Sequence, residues 1–419
     1  MERGPPLKRA EIFVQRWLAG ALGVWAVGVL TFEPVAAAGL IATAVGVLAA
    51  PQLRAGIPSL GPGGWLRTFW LVAAFVGWAL LAPTVAGRPP SATGALRVLD
   101  WVAVPFAAAA WGQLDASGRR AVLVAVGVTL FLSSAVAGLQ HFGIWPPLES
   151  FESLRFTRIP FERVYEPVPS AERRFMGSGL AFHRLKFAHV GGLAALALLV
   201  AGLAARGRMR VLALAASFSA IFAIAVFAYA RAASAAILAS GVVAGALGWH
   251  RRRVAFAAGS ALAVGALLLL AGITPVRQRF VSSVTATGSG DRHLLLAAGA
   301  SVVRRHPWTG VGPGNFRAKD QVAADAPESL RTHPGKAHNQ FLSMAAETGI
   351  PGALLFCGML VALALRMKPS LPTGAFGLSA LLFFGLLSLV HDPLFHAPLS
   401  MAIVLSAGVG LARAPETPR

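Results

Sequence analysis

Twelve apolar segments run through the chain, and each is long enough to cross the hydrocarbon core of a bilayer as a helix. Only 13% of the residues are charged, whereas a soluble domain carries about a quarter. The segments lie at 17–32, 34–51, 66–84, 98–114, 121–142, 186–205, 209–229, 232–249, 254–273, 350–366, 374–390 and 397–412. The sequence therefore predicts an all-α integral membrane protein with about twelve transmembrane helices, in one polytopic domain over residues 1–419.

The basic residues of the short connections indicate how these spans are oriented. With the N-terminus inside, most of them fall in inner connections, as the positive-inside rule expects of cytoplasmic loops. The inner ones are Arg54, Arg67, Arg119, Arg120, Arg206, Arg208, Arg210, Arg251, Arg252, Arg253, Arg366 and Lys368, and the outer ones are Arg88, Arg97 and Arg231. An even number of spans then predicts that both termini are cytoplasmic. Two long loops, at 143–185 and 274–349, are predicted to face outward.

The chain carries a net charge of +20, and both long outer loops are rich in arginine. In a soluble chain this charge would suggest nucleic acid, but here it lies between spans, where membrane orientation and anionic lipid groups explain it better. The excess of positive charge in the two outer loops predicts a cationic pocket that binds an anion on the outer side of the membrane. The single cysteine, Cys357, lies in an apolar run, which excludes an internal disulfide and a cysteine-based metal site.

Residues 337–352, which read A-H-N-Q-F-L-S-M-A-A-E-T-G-I-P-G, close the second long loop and open a hydrophobic helix. His338 and Phe341 share helical spacing, which predicts that the imidazole lies on the apolar side of a short helix. Gly349 is predicted to end that helix, and Pro351 suits the first turn of the next. A neutral imidazole at such a boundary can accept a proton near neutral pH, although an interfacial histidine that caps a helix is the alternative.

The second long loop is predicted to contain a helix over 291–306, ended by Pro307. Its predicted membrane-facing side comprises Arg292, Leu296, Gly299 and Val303. The next residues, 307–316, read P-W-T-G-V-G-P-G-N-F and include a G-x-G pattern. Because no strand precedes them and Pro313 lacks an N–H donor, a nucleotide-binding loop is disfavoured. A tight turn that presents backbone groups near the site is predicted instead.

Arg231 and Lys186 are candidate anion-binding residues at the outer ends of apolar spans. Arg231 stands between two spans with no acidic residue nearby in the sequence, and Lys186 begins an apolar run flanked by His183 and His189. Each is open to two interpretations. The side chain anchors the helix by reaching the headgroups, or it points inward and binds a phosphate, which suits the planar fork of arginine.

Four places together resemble the O-antigen ligase and O-antigen polymerase superfamily of bacterial inner-membrane glycosyltransferases. They are residues 182–188, Arg231, residues 292–316 with H-P-W-T-G-V-G-P-G-N-F, and the A-H-N-Q-F-L-S-M-A-A-E-T-G-I-P-G stretch. The first five spans match only in hydrophobicity. The resemblance implies an all-α fold of the lipid-linked-sugar glycosyltransferase type, in the inner (cytoplasmic) membrane, with its active site facing the periplasm.

The resemblance also implies the substrates. The donor is a glycan on a polyprenyl diphosphate, and the acceptor is a sugar hydroxyl: the lipid A-core for a ligase, another repeat unit for a polymerase. A related branch uses a protein hydroxyl. Among these we favour the ligase. A transporter or lipid-carrier flippase is the alternative of a different class, and it is disfavoured because the spans are almost free of charge, Asp100 being the main exception.

Carried over by motif, His338 matches the proposed catalytic base of the superfamily, and Arg231 and Arg292 match its diphosphate-binding arginines. Lys186 matches less well as a further phosphate contact, and Asn339 is predicted to bind substrate beside the base. A diphosphate is a good leaving group, so the site needs positive charge and a base rather than a strong acid. The chain has no D-x-D pair, so we predict a metal-independent, inverting reaction without a cofactor.

Overall fold

The computed structural model describes residues 5–50, 64–144, 166–168, 174–181, 183–248, 292–321 and 335–412, and in these ranges the chain is almost entirely helical. The helices are α1 (Pro5–Leu30), α2 (Glu33–Ala49), α3 (Gly64–Val85), α4 (Ala92–Leu99), α5 (Val104–Gln113), α6 (Ala116–His141), α7 (Arg184–Ala204), α8 (Gly207–Phe222), α9 (Arg231–Gly248), α10 (Arg292–Arg305), α11 (Gln340–Arg366), α12 (Pro372–Ser388) and α13 (Ala397–Leu411). Short 3₁₀ turns at Asp100–Ala103, Gly179–Ala181, Ala318–Gln321 and Pro393–Phe395, and a π turn at Ala223–Phe227, complete the helical structure.

The described helices confirm the prediction of an all-α membrane protein. Six helical stretches are long and apolar enough to cross a bilayer, and five shorter apolar helices accompany them. Each of these eleven coincides with a predicted span, α4 and α5 together forming the fourth. The ninth predicted span, at 254–273, lies outside the described residues, as do most of the first long loop and parts of the second.

Small residues let the helices approach closely, as the Ala/Gly-rich spans predict for packing in lipid. A Cβ atom on Gly377 of α12 would lie 2.5 Å from the Cα atom of Gly410 in α13, so the two backbones touch there. α7 lies near the centre, packed against α6, α8, α9, α12 and α13. About two thirds of the residues in its apolar stretch are buried.

One end of the bundle gathers the predicted site residues, and we name it the His338 end. Here α6 and α12 finish and α7, α9 and α11 begin. The segment that leads into α7 is bound to this end: the Phe175 carbonyl lies 2.8 Å from Nδ1 of His141, and the Gly177 N–H donates to the Phe227 carbonyl at 2.8 Å. Part of that segment forms a small antiparallel pair of strands, β1 (Glu166–Pro167) and β2 (Phe175–Met176), which the sequence did not predict. The other end, where α6 begins and α7 finishes, is named the Arg119 end.

Candidate active site

His338 lies just before α11 rather than on its apolar face, so the prediction of a helical His338 was wrong. Its φ of 54° is in the left-handed region, which few residues other than glycine and asparagine adopt. Asn339 is the N-cap: its Oδ1 accepts from the Leu342 N–H at 3.0 Å. The helix therefore begins at Gln340, two residues after His338, and the left-handed conformation directs His338 away from the helix face. The alternative that His338 itself caps the helix is also excluded.

Asp392, from the connection between α12 and α13, holds this turn. Its buried carboxylate accepts hydrogen bonds from the His338 backbone N–H and from the side chain of Ser343, one turn into α11. The Ser343 hydroxyl in turn accepts from the Ala337 N–H at 3.2 Å. Burial raises the pKa of Asp392 to about 6, against which these hydrogen bonds and Lys336 act in the opposite direction. The strained backbone of His338 is thus fixed by two groups from outside the turn, the Asp392 carboxylate and the Ser343 hydroxyl.

Residues 389–394, the connection that contains Asp392, also form hydrogen bonds with residues at the starts of α10 and α11. The Leu389 carbonyl accepts from Nδ2 of Asn339 at 3.4 Å, and the Leu394 N–H donates to the Gln340 side chain at 2.9 Å. The Val390 carbonyl accepts from the Arg292 guanidinium at 3.0 Å. This short segment therefore brings the start of α10 and the start of α11, which are about fifty residues apart in sequence, to one place.

Histidines surround this anchor. The ring of His391 lies 6.1 Å from that of His338 and 5.4 Å from that of the fully buried His189. The rings of His183 and His396 form a second pair at 5.6 Å. Burial, reinforced by neighbouring positive groups, lowers the pKa of His391 to about 4 and that of His396 to about 3. Both imidazoles are therefore neutral at pH 7 and add no positive charge of their own.

Arg292 is the first residue of α10, and the structure brings it close to His338 through residues 389–394. The helix predicted at 291–306 is confirmed as α10. Its buried side comprises Leu295, Ala298, Gly299 and Val302, and it packs on α11. Gly299, predicted to lie on the membrane-facing side, therefore packs on protein, whereas Leu296 of that side is exposed. Arg292 itself is exposed, so its guanidinium reaches Val390 from the rim of the site.

Lys186 and Arg231 lie at the same end of the bundle. Lys186 is in the first turn of α7 and is close enough to His396 to help lower the pKa of that histidine. Arg231 is the first residue of α9, and its backbone N–H contacts the Tyr229 carbonyl at 3.2 Å. Tyr229 is buried in a left-handed conformation (φ 51°), and its ring lies 5.9 Å from that of His141. Arg231 is therefore linked to His338 by its position at the same end of the bundle. Its role, like those of Lys186, Arg292 and Asn339, stays a prediction.

Residues 307–316 form the predicted tight turn, but their backbone groups are bonded to the protein. The Val311 and Gly312 N–H groups donate to the Ala346 and Glu347 carbonyls at 3.0 and 2.8 Å, and the Ile350 N–H donates to the Pro307 carbonyl at 2.7 Å. These bonds clamp α11 at the point where it breaks. The turn thus positions the helix that follows His338.

The break in α11 confirms the prediction made for Gly349, whose φ of 74° and ψ of 172° interrupt the helix. Just before the break, Glu347 forms an ion pair with Lys336, whose amine also donates to the Phe316 carbonyl. The Lys336 side chain is only 6% exposed. The pair fixes the chain two residues before His338 to the first half of α11.

Sequence reasoning overlooked His391, Asp392 and His396. The signal was present in H-D-P-L-F-H at 391–396, a polar group between the last two spans, but nothing in the sequence placed it beside His338. In the described residues, no group of three or more histidine, cysteine or acidic side chains is arranged to hold a metal ion.

The fold and this end of the bundle define a multi-pass, all-α membrane protein with arginine and histidine side chains gathered around one connecting segment. Residues 193–357 match the family model described as O-antigen ligase. This match confirms the resemblance to the O-antigen ligase and O-antigen polymerase superfamily, whose members are glycosyltransferase-like enzymes. The matched region includes Arg231, Arg292 and His338, whereas Lys186 and Asp392 lie outside it. No curated protein matches the chain.

Proposed function

We propose that the protein is an O-antigen ligase, which transfers a glycan from a polyprenyl diphosphate carrier to a sugar hydroxyl of the lipid A-core. The reaction takes place at the periplasmic face of the inner membrane, and both termini are cytoplasmic. The observation that carries the proposal is the anchoring of His338 and Arg292 by the same segment, residues 389–394. A base and a cation held together at one end of a membrane bundle suit a lipid-linked anionic donor and a hydroxyl acceptor.

In the proposed reaction, His338 acts as the general base. The acceptor hydroxyl oxygen attacks the anomeric carbon of the donor sugar, and the hydroxyl proton passes to the imidazole. The bond between the anomeric carbon and the diphosphate oxygen breaks, and that oxygen leaves with the electron pair. Attack opposite the leaving group inverts the anomeric configuration. The left-handed turn supports this role, because strained backbone that other groups hold in place is frequent at functional sites.

Arg292 and Arg231 hold the diphosphate in this proposal, with Lys186 as a further contact and Asn339 beside the acceptor. Guanidinium groups bind phosphate oxygens through two parallel hydrogen bonds and stabilise the negative charge that the leaving group gains. This supply of positive charge makes a metal ion unnecessary. The neutral His391 and His396 line the site without competing for the anion.

Asp392 is a positioning residue in this scheme. It contacts the His338 backbone rather than the substrate, and it keeps the imidazole in place through the turn. Because a misplacement of about 1 Å can cost a hundredfold in rate, loss of this contact should lower turnover more than donor binding.

The lipopolysaccharide pattern of a deletion strain tests the proposal against its alternatives. A ligase predicts core without polymer and accumulation of lipid-linked polymer. A core that carries a single repeat unit indicates a polymerase, and glycoprotein loss with intact lipopolysaccharide indicates a protein-directed transferase. Counterflow of lipid-linked glycan in vesicles, with no transfer product, indicates a transporter or flippase.

A further inference from the structure

A long cavity lies between α1, α6, α7, α12 and α13. It has a volume of about 470 Å³, within the range of roughly 300–1,000 Å³ typical of ligand pockets. Its described lining is almost entirely apolar, with Arg119 as its charged side chain. Along α7 the lining runs from Val190 to Ala205, about 22 Å at the rise of an α-helix. The cavity is thus long and narrow, with its charge at the Arg119 end.

Arg119 keeps donors that the described protein does not use. It is half-buried near the start of α6, where one Nη donates to the Gly112 carbonyl at 3.3 Å. Its Nε is buried and has no hydrogen-bond partner in the described part of the chain. The nearest acid, Asp115, is engaged as the cap of α6: it accepts from the Gly118 N–H at 2.7 Å and from the Ser117 hydroxyl at 3.1 Å. A buried guanidinium N–H without an acceptor is costly, so an anionic ligand would stabilise it.

We propose that this cavity binds one anionic phospholipid, with an acyl chain between α1 and α7 and the phosphate on Arg119. The shape fits a single hydrocarbon chain, because the 22 Å lining exceeds half of a hydrocarbon core of about 30 Å. The charge fits an anionic headgroup, to which a guanidinium offers paired hydrogen bonds. The phosphate-binding part of the site, Arg119, lies at the end opposite His338, so the headgroup is separate from the proposed donor diphosphate and its binding does not depend on the proposed function.

Native mass spectrometry of the purified full-length protein tests this proposal. The probe is an equimolar mixture of phosphatidylglycerol and phosphatidylethanolamine in detergent, without donor or acceptor. The wild type should retain one phosphatidylglycerol in preference to phosphatidylethanolamine. Arg119→Ala should reduce that preference about tenfold, the effect of losing a charge-assisted hydrogen bond, and Arg119→Lys should keep part of it. The matched control is Arg120→Ala, which removes the exposed neighbour and should bind as the wild type does.

A second variant examines the apolar part of the site. Ala197→Phe places a ring in the cavity from the wall of α7, and it should displace the lipid even though Arg119 is intact. Equal retention of both lipids by the wild type would overturn the proposal, as would unchanged binding by Arg119→Ala and Ala197→Phe. Co-purification of a polyprenyl phosphate in place of a glycerophospholipid would also overturn it.

Discussion

Gly349→Ala is the substitution whose effect the structure predicts most sharply, because it acts on the break in α11. Gly349 has a φ of 74° and a ψ of 172°, a region that residues with a Cβ atom hardly populate. A Cβ atom there would overlap the Trp308 carbonyl and lie 2.8 Å from the Thr309 nitrogen. Both obstacles are backbone atoms of the clamp formed by residues 307–316, so neither can move aside as a flexible side chain would.

Two terms set the magnitude. The backbone conformation costs alanine about 1–3 kcal/mol, and forcing a methyl group into a packed site costs about another 1–3 kcal/mol. Together they amount to roughly 2–6 kcal/mol, a large part of the 5–15 kcal/mol that stabilises a typical protein. The alternative is that the clamp opens, which would break the bond from the Ile350 N–H to the Pro307 carbonyl. Glycan transfer should therefore fall as well, since the first half of α11 follows His338.

Gly358→Ala is the matched control, because it lies in the second half of the same helix and nothing would lie within 4 Å of its Cβ atom. Alanine should be neutral or stabilise the helix there by about 0.5–1 kcal/mol. The assay compares thermal unfolding of the two purified variants in detergent, followed by transfer activity. Equal melting temperatures for Gly349→Ala and Gly358→Ala would refute the reasoning about the clamp.

Three further substitutions test the site. Burial raises the pKa of Asp392 from 3.8 to about 6, so the stabilising contribution of its protonated carboxyl is complete below about pH 4 and is lost as the pH rises through 6. The melting temperature of Asp392→Asn should therefore increase relative to that of the wild type between pH 5 and 7.5. A constant difference between the two melting temperatures would contradict the pKa shift. Lys336→Met leaves the partly buried Glu347 without its partner and should destabilise the protein by up to about 3–5 kcal/mol, and adding Glu347→Gln should recover most of this loss in the same melting assay. Arg292→Lys should lower donor use about tenfold at saturating acceptor, whereas Lys at the exposed Arg317 should not; equal kinetics for both would make Arg292 a membrane anchor.

The sequence predicts the helices well because membrane spans and helix ends are local features. A run of about twenty apolar residues has few other structures available in lipid. Pro307 and Gly349 end or break helices through their own backbone geometry, so the limits of α10 and the break in α11 were predictable.

The arrangement of the site was much less predictable, because it depends on contacts between distant segments. Helical spacing assigned His338 to α11, but the contact with Asp392, 54 positions later, supports a left-handed turn instead. Gly299 was assigned to the membrane-facing side of α10 because periodicity alone does not say which neighbour the helix packs against; here that neighbour is α11. The glycines of residues 307–316 suggested a turn near the site, and only the fold reveals that they clamp the break at Gly349.

The central claim, that His338 is the base for glycan transfer, is tested most directly by His338→Asn. Asparagine accepts the left-handed backbone that residue 338 adopts, and its N–H can still donate to Asp392, so the substitution removes the imidazole and leaves the turn. The measurement is the single-turnover rate of transfer from a purified polyprenyl-diphosphate-linked glycan, together with binding of that donor. A fall in rate of about 10²–10⁴-fold with unchanged donor binding is the predicted result. A rate close to that of the wild type would contradict the claim.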